Sequence, residues 1–324
     1  MRKTTTALAV FGASLMFAAG GVSAQAYPSK PIRLVLGFAP GGAADYVSRA
    51  MSEPLSRILG QPVVVDNKPG AGSSIAADFV AKSQPDGYTI LIASPAAISV
   101  NPALNPKLGY KPADLLPVTK VSASPQVVAV NPAVGVGSIK ELIAYAKANP
   151  DKLNYASSGN GSAPHMATIL FNRLTGTQMV HVPYKSGGLA VQSVLAGDTQ
   201  VTFATPPSVL PLVKAGRLKA IAVTSPMRSS LLPDLPGMTE AGLPGYDMSL
   251  WYGFFVAAGT PPEIVKKIFD ATLVALREPG VIQAFAREGT ETAASRSPSD
   301  FAAFLAEDDK LMVRLVRESG AKID

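Results

Sequence analysis

Short apolar runs recur along this chain, each closed by glycine or proline and followed by a stretch with helical spacing. Ile32-Arg33-Leu34-Val35-Leu36-Gly37 reads as a buried strand, and 44–59 as a helix stopped by Gly60. Val63-Val64-Val65 is a second strand, 73–82 a helix, and 88–93 a third strand. Strand and helix in alternation predict βαβ units on a parallel sheet. The stretch 101–117 is rich in Pro and Asn and reads as a connector.

A second alternating block follows. It predicts strands at 126–130, 153–156, 179–182, 201–204 and 218–224, with helices at 164–174 and 189–196. Ser138-Ile139-Lys140-Glu141 is a capping box, and Ile139, Leu142, Ile143 and Ala146 give the helix it opens one apolar face. A second Pro/Gly-rich stretch spans 225–245, and 249–257 reads as a strand. Thr260-Pro261-Pro262-Glu263 has the form of another capping box, with Pro at the first helical position. The last helix starts near Ser297 and carries Phe301, Phe304, Leu305, Leu311 and Leu315. The segment 249–324 has too few strands for its own sheet. It is expected to return to the first block, giving lobe 1 from 27–124 and 249–324 and lobe 2 from 125–248. Two crossings between lobes make a hinge, and ligands of such proteins sit in the cleft between them.

Composition narrows the class. Hydrophobic residues make up 47 % of the chain, enough for folded cores. The formal charge of +6 is spread without blocks of one sign, which argues against a nucleic-acid groove. There is no cysteine, hence no disulfide, no thiol chemistry and no lipid-modified cysteine. At the start, Arg2-Lys3 precedes an apolar run, and small residues follow at Ala24 and Ala26. That is the layout of a cleavable secretory signal over 1–26, pointing to the periplasm.

Two turns carry the candidate chemistry. Gly37-Phe38-Ala39-Pro40-Gly41-Gly42 leads into a helix with Asp45 in its first turn. Ser157-Ser158-Gly159-Asn160-Gly161-Ser162 leads into a helix that carries His165. Glycine lets backbone N–H groups approach a ligand, and the helix that follows aims its unpaired N–H groups at the same place. Such a turn holds an anion without a charged side chain. An acid in a first helical turn is also favoured by the helix dipole alone, so Asp45 has a structural reading beside a ligand-contacting one. Neither turn completes a dinucleotide or phosphate-loop fingerprint, so no cofactor is expected. No G-x-S-x-G elbow and no metal-ligand spacing occurs, and the two histidines, His165 and His181, read as capping and packing residues. The inventory therefore favours a binding protein over a secreted hydrolase or lyase.

With their surroundings, these turns resemble the substrate-binding proteins of tripartite tricarboxylate transporters, the Bug or TctC-like family. The likeness rests on Tyr27-Pro28-Ser29-Lys30-Pro31-Ile32, Phe38-Ala39-Pro40-Gly41-Gly42 with Asp45, Asn67-Lys68-Pro69-Gly70-Ala71-Gly72, and Pro85-Asp86-Gly87-Tyr88-Thr89. It extends to Gly161-Ser162 with His165, Val182-Pro183-Tyr184-Lys185 and Gly259-Thr260-Pro261. The resemblance implies a two-lobed Venus-flytrap fold of the type II periplasmic binding class, acting as a monomer. It implies a small organic, aromatic or amino-acid carboxylate as ligand and the membrane subunits of a tripartite transporter as partner, or a signalling receptor if the protein serves as a sensor. It carries ligand contact over to Phe38, Ala39, Pro40, Gly41 and Gly42 in one turn and to Ser157, Gly159, Gly161 and Ser162 in the other, with Ser94 and Thr205 as polar partners at strand ends. One departure is local: Ser186 stands between Lys185 and Gly187-Gly188, where the family has Lys-Gly directly. Lys185 is kept as a candidate contact across that change.

Overall fold

The computed structural model describes residues 27–38, 40, 43–105, 107–150, 152–287 and 289–319. The expected signal at 1–26 lies outside the described residues, as do Ala39, Gly41 and Gly42. In chain order the first elements are β1 (Ile32–Leu36), α1 (Ala43–Leu59), β2 (Val63–Asn67), α2 (Ser74–Ala81) and β3 (Thr89–Ala93). A single wide helical turn then leads into the short α3 (Asn101–Leu104), followed by β4 (Leu115–Ser124) and β5 (Val127–Val130). Next come α4 (Ile139–Ala148), β6 (Asn154–Ser157), α5 (Ala163–Thr175), β7 (Val180–Pro183), α6 (Gly187–Ala196) and β8 (Val201–Ala204). The chain continues through α7 (Pro206–Lys214), β9 (Lys219–Val223), β10 (Leu250–Ala257), α8 (Pro262–Leu276), α9 (Pro279–Arg287), β11 (Glu291–Thr292) and α10 (Pro298–Ser319).

The strands form two sheets, one per lobe, ordered β11-β4-β10-β3-β1-β2 and β7-β6-β8-β5-β9. The expected parallel sheet is corrected to a mixed one in each lobe. β1 runs parallel to β2 and β3, and β6 parallel to β7 and β8, but β10 is antiparallel to β3 and β4, and β5 to β8 and β9. β10 and β5 are the strands that enter each lobe just after the chain has crossed over; the two-residue β11, antiparallel to β4 at the sheet edge, is a further exception. A strand arriving from the other lobe enters from the opposite end, so it runs against its neighbours.

Both sheets are covered on both faces. Ile32, Leu34, Leu36, Val47 and Phe254 pack on one side of the first sheet, and Val35, Leu91, Trp251 and Phe301 on the other. Val128, Phe171 and Phe203 fill one side of the second, and Val127, Ala156 and Val191 the other. Strands buried on both faces read as continuous apolar runs, which is why they were legible.

Three local outcomes differ from the sequence expectation. First, β4 starts within the stretch read as connector and runs on to Ser124, where no element was expected, because Pro117 and Lys120 break its apolar pattern. Second, α7 was not expected: Pro206, Pro207 and Pro211 suggest a loop, yet the first two occupy positions whose N–H groups have no helical partner anyway. Third, Ser138 caps its helix, with Glu141 N–H donating to Ser138 Oγ at 3.2 Å, but the Glu141 carboxylate closes on Gly137 N–H at 2.6 Å rather than on Ser138 N–H, so the box forms only in half. The one at Thr260 does not; its hydroxyl donates to Ala257 O at 2.7 Å instead, and α8 has no side-chain cap.

The last helix belongs to both lobes. Phe301 packs on Trp251 and Phe255 of the first, at ring separations of 5.8 and 5.4 Å. Two turns and more later, Met312, Leu315 and Val316 enter the core of the second, and Arg173 Nη1 donates to Glu318 Oε1 at 2.7 Å. Among the described residues no helix is long and apolar enough to cross a membrane.

Candidate ligand-binding site

The turn after β1 is fastened from below. Asn67 Nδ2 donates both to Phe38 O and to Asp45 Oδ1, each at 3.0 Å, and Arg49 Nε donates to Asp45 Oδ2 at 2.9 Å. Asp45 is 4 % exposed, so its carboxylate joins the turn to the first helix from the protein side. Gly37 admits no side chain, since a Cβ there would lie 1.9 Å from Ser73 Oγ.

The turn after β6 is fastened to itself. Ser157 Oγ shares a 2.6 Å hydrogen bond with His181 Nε2 and accepts from Gly159 N–H at 3.1 Å. Ser162 Oγ donates to Gly159 O at 2.6 Å. Gly161 N–H donates to His165 Nδ1 at 3.1 Å, which requires that nitrogen to be unprotonated. His165 stacks on His181 at 3.9 Å, and burial, with His181 beside it, lowers its pKa to about 3. The imidazole is therefore neutral and serves as an acceptor. Gly159 and Gly161 have φ of 113° and 72°, a region that side chains strongly disfavour.

Ser162 stands at the N-cap of α5, but its hydroxyl makes no cap bond. Pro164 has no N–H, so the N–H groups of Ala163 and His165 are the ones left without a helical partner at the start of α5. Gly161, Ser162, Ala163 and Pro164 line a cavity of ≈ 250 Å³ between the lobes. Phe38 and Ser94 face it from lobe 1, and Thr205 from the start of α7. Among the described residues no Asp, Glu, Lys, Arg or His lines it. Its polar side chains are serines, threonines, Tyr252 and Gln126; Met166, Met248 and Met312 supply much of the rest.

The candidate residues thus divide by place. Phe38, Ser94, Gly161, Ser162 and Thr205 are on the cavity wall. Ser157, His165 and Asp45 lie behind it, shaping the turns. Gly159 and Lys185 line a neighbouring groove with Asn101 and Leu104, and Pro40 is exposed. The sequence reading missed Gln126 and Met312. Gln126 had a signal, as the lone polar residue ahead of an apolar strand at a lobe crossing. Met312 had none, because helical spacing does not say which lobe covers the second half of α10.

Two α/β lobes, joined by crossings and closed on a cavity beside an uncapped helix N-terminus, define a two-lobed solute-binding protein. The chain belongs to the tripartite tricarboxylate transporter family of receptors, which it matches over residues 47–321. It is similar to BugT of Bordetella pertussis, with 38 % identity over 323 residues, covering 98 % of this chain and 99 % of that protein. Its fold matches R. palustris Rpa4515 with adipate at a TM-score of 0.77 and 32 % identity, covering 92 % of this chain and 100 % of the other. It also matches MatC from Rhodopseudomonas palustris with bound malate at a TM-score of 0.73 and 29 % identity, covering 90 % and 100 %. The family is one of receptors rather than enzymes.

Proposed function

We propose that this protein captures a small carboxylate in the periplasm as a monomer, without converting it, and delivers it to the membrane subunits of a tripartite tricarboxylate-type transporter. The observation that carries the reading is the open N-terminus of α5, set in a cavity wall without an ionisable side chain. Backbone N–H groups at a helix start hold a carboxylate by charge-assisted hydrogen bonds, each contributing about 1.5–3 kcal/mol net. The N–H groups of Ala163 and His165, with the hydroxyls of Ser94 and Thr205 beside them, together support micromolar affinity, about −8 kcal/mol, after ordering costs. The relatives solved with adipate and malate support an acid as cargo. Gly161, Ser162 and Phe38 shape the seat of the carboxylate in this reading, and Ser94 and Thr205 are its polar neighbours.

The test is calorimetry with a panel of carboxylates on the protein and on Gly161→Val. A side chain at this φ costs about 1–2 kcal/mol of backbone strain. Its Cβ would also meet Val100 Cγ1 at 3.2 Å. Binding is expected to weaken at least about tenfold. Affinity for every acid unchanged in Gly161→Val would place the carboxylate elsewhere, and turnover of a bound acid would make the protein an enzyme.

A further inference from the structure

Two hydroxyls of the cavity wall are left by the fold without a partner, and they stand on neighbouring strands. β10 runs antiparallel to β3, with Gly253 opposite Ala93 and Phe254 opposite Ile92. The same register sets Tyr252 opposite Ser94, the residue that follows β3. Opposed residues of an antiparallel pair direct their side chains to one face of the sheet, with Cβ atoms about 4.5–5.5 Å apart. That face carries Ile92 and Phe254, and at its end both Ser94 and Tyr252 line the cavity. Tyr252 belongs to the apolar core of lobe 1 and is 6 % exposed; Ser94 is 3 % exposed. Among the described residues neither hydroxyl takes part in a hydrogen bond within the protein. Neither is sealed in, unlike Gln126 Oε1 and Ser122 Oγ, which have no partner and no access. By contrast, Thr202, Thr205 and Ser249 engage their hydroxyls with Ala156 O, Ser208 Oγ and Asp247 Oδ1, at 3.1, 3.2 and 3.2 Å. Loss of hydration raises the pKa of the Tyr252 phenol, so it stays un-ionised and able to donate. A buried tyrosine hydroxyl normally has a partner.

We propose that Tyr252 is a ligand-binding residue: its hydroxyl, with that of Ser94, donates to the carboxylate from lobe 1 while the start of α5 donates from lobe 2, so that the acid itself bridges the lobes. The proposal rests on the carboxylate reading of the site. An ionised carboxylate offers about four lone-pair positions to donors, and leaving them unmet away from water is costly. The start of α5 meets at most two of them, through the N–H groups of Ala163 and His165. Hydroxyls suit the rest, since O–H bonds to an ionised oxygen are among the short, strong ones. The place of these donors in the fold has a further consequence. β3 and β10 belong to the first sheet, whereas α5 follows β6 of the second. Donors divided in this way meet one anion only when the lobes are together, so binding favours the closed form.

Tyr252→Phe removes the hydroxyl and leaves the ring in place. With no protein partner to lose, the variant without ligand should melt at or above the temperature of the unaltered protein. Hexanoate, benzoate, malate and adipate are titrated by calorimetry into both proteins. Every acid that binds the unaltered protein is expected to bind Tyr252→Phe roughly ten- to a hundredfold more weakly. Affinities that agree within about threefold overturn the proposal while leaving the carboxylate reading intact. Weakening of malate and adipate alone, with the two monoacids unaffected, moves the hydroxyl to the remainder of the ligand and overturns its place on the carboxylate. A variant that melts markedly lower without ligand, or does not fold, makes the hydroxyl a bonded part of the core and also overturns the proposal. Binding of none of the four acids to the unaltered protein removes the carboxylate reading and this proposal with it.

Discussion

Around the cavity the polar side chains are serines, threonines, one tyrosine and one amide set among methionines, whereas a step further back the protein places two histidines, three aspartates and a lysine. His165 supports Gly161 from behind, and His181 supports Ser157. Asp308 precedes Met312 by about one turn of α10 and accepts from Trp251 Nε1–H at 3.2 Å. Its pKa is raised to about 6, first by loss of hydration and then by Asp247 and Asp309, against the pull of Trp251 and Lys120. Lys120 is held below the usual lysine range, chiefly by its own desolvation. The one titratable side chain of the wall among the described residues, Tyr252, has its pKa raised by burial and stays neutral, so the layer behind the wall is what changes charge near neutral pH. Changes of pH therefore act on this site through its supports, whereas a charge added to the wall acts on the ligand directly.

The largest effect is expected from breaking the neutrality of the wall. Ser162→Asp adds a carboxylate at the N-cap of α5, where aspartate suits the helix as well as serine does. Loss of the Ser162 Oγ donation to Gly159 O is set against the favourable helix dipole, so the fold should survive with a modestly changed melting temperature. A bound carboxylate would lie beside a like charge, a repulsion of about 4 kcal/mol at 4 Å near a protein surface. Calorimetry should show affinity for any acid falling by at least about a hundredfold. Retention of binding within tenfold would mean that the anion does not sit at this helix.

The second effect acts on the supports. His165 has a folded pKa of about 3, below that of an unfolded histidine. Its contribution to stability is complete above about pH 6.5 and is lost as pH falls toward 3, since only the unfolded chain takes up the proton. The loss reaches up to about 2 kcal/mol at pH 5. His165→Asn keeps an acceptor for Gly161 N–H but does not titrate. It should melt lower at pH 7, for want of the ring stack, yet lose less stability between pH 7 and 4.5. Parallel melting curves for the two proteins across that range would show that His165 is not the group responsible.

Asp308 should give a smaller effect of opposite sign. Because its folded pKa is raised, its stabilising contribution is complete below about pH 4 and is lost as pH rises through about 6. Asp308→Asn keeps an oxygen for Trp251 and removes the ionisation. A gain of about 1 kcal/mol at pH 7.5, after allowance for partial solvent access, should shrink to nothing at pH 4 in denaturant titrations. Carboxylate affinity should not change. A gain that persists at pH 4 would point to packing rather than charge.

The wall and its supports differ in how far the sequence revealed them. Both turns were legible because glycine and serine sit between an apolar strand and a helix start, a purely local pattern. The supports were not, because Asp45 meets Asn67 and His165 meets His181 only after separate strands have paired. Gln126 was passed over as the first residue of a strand, because its contacts with Ala163 and Met248 are encoded by no local pattern. β4 escaped notice because Pro117 and Lys120 disturb its alternation, and the double membership of α10 because periodicity defines an apolar face without naming what covers it.

The smallest effect is expected at Lys185, and it discriminates between two ways of holding an anion. The side chain belongs to the groove beside the cavity and not to the cavity wall. If backbone N–H groups of α5 hold the carboxylate, Lys185 contributes only a distant, water-screened attraction. Lys185→Met should then change affinity by less than about 1 kcal/mol, in the range of exposed ion pairs. Affinity of the unaltered protein should also fall only mildly between low and physiological salt, because short hydrogen bonds in a dry cavity are screened far less than surface charges. The two readouts must agree. A steep salt dependence that disappears in Lys185→Met, together with loss of most of the affinity, would make the lysine the anion's partner. The neutral wall would then line the remainder of the ligand instead of its charged end, and the contrast between wall and supports would have to be redrawn with the charge on the ligand's side of the cleft.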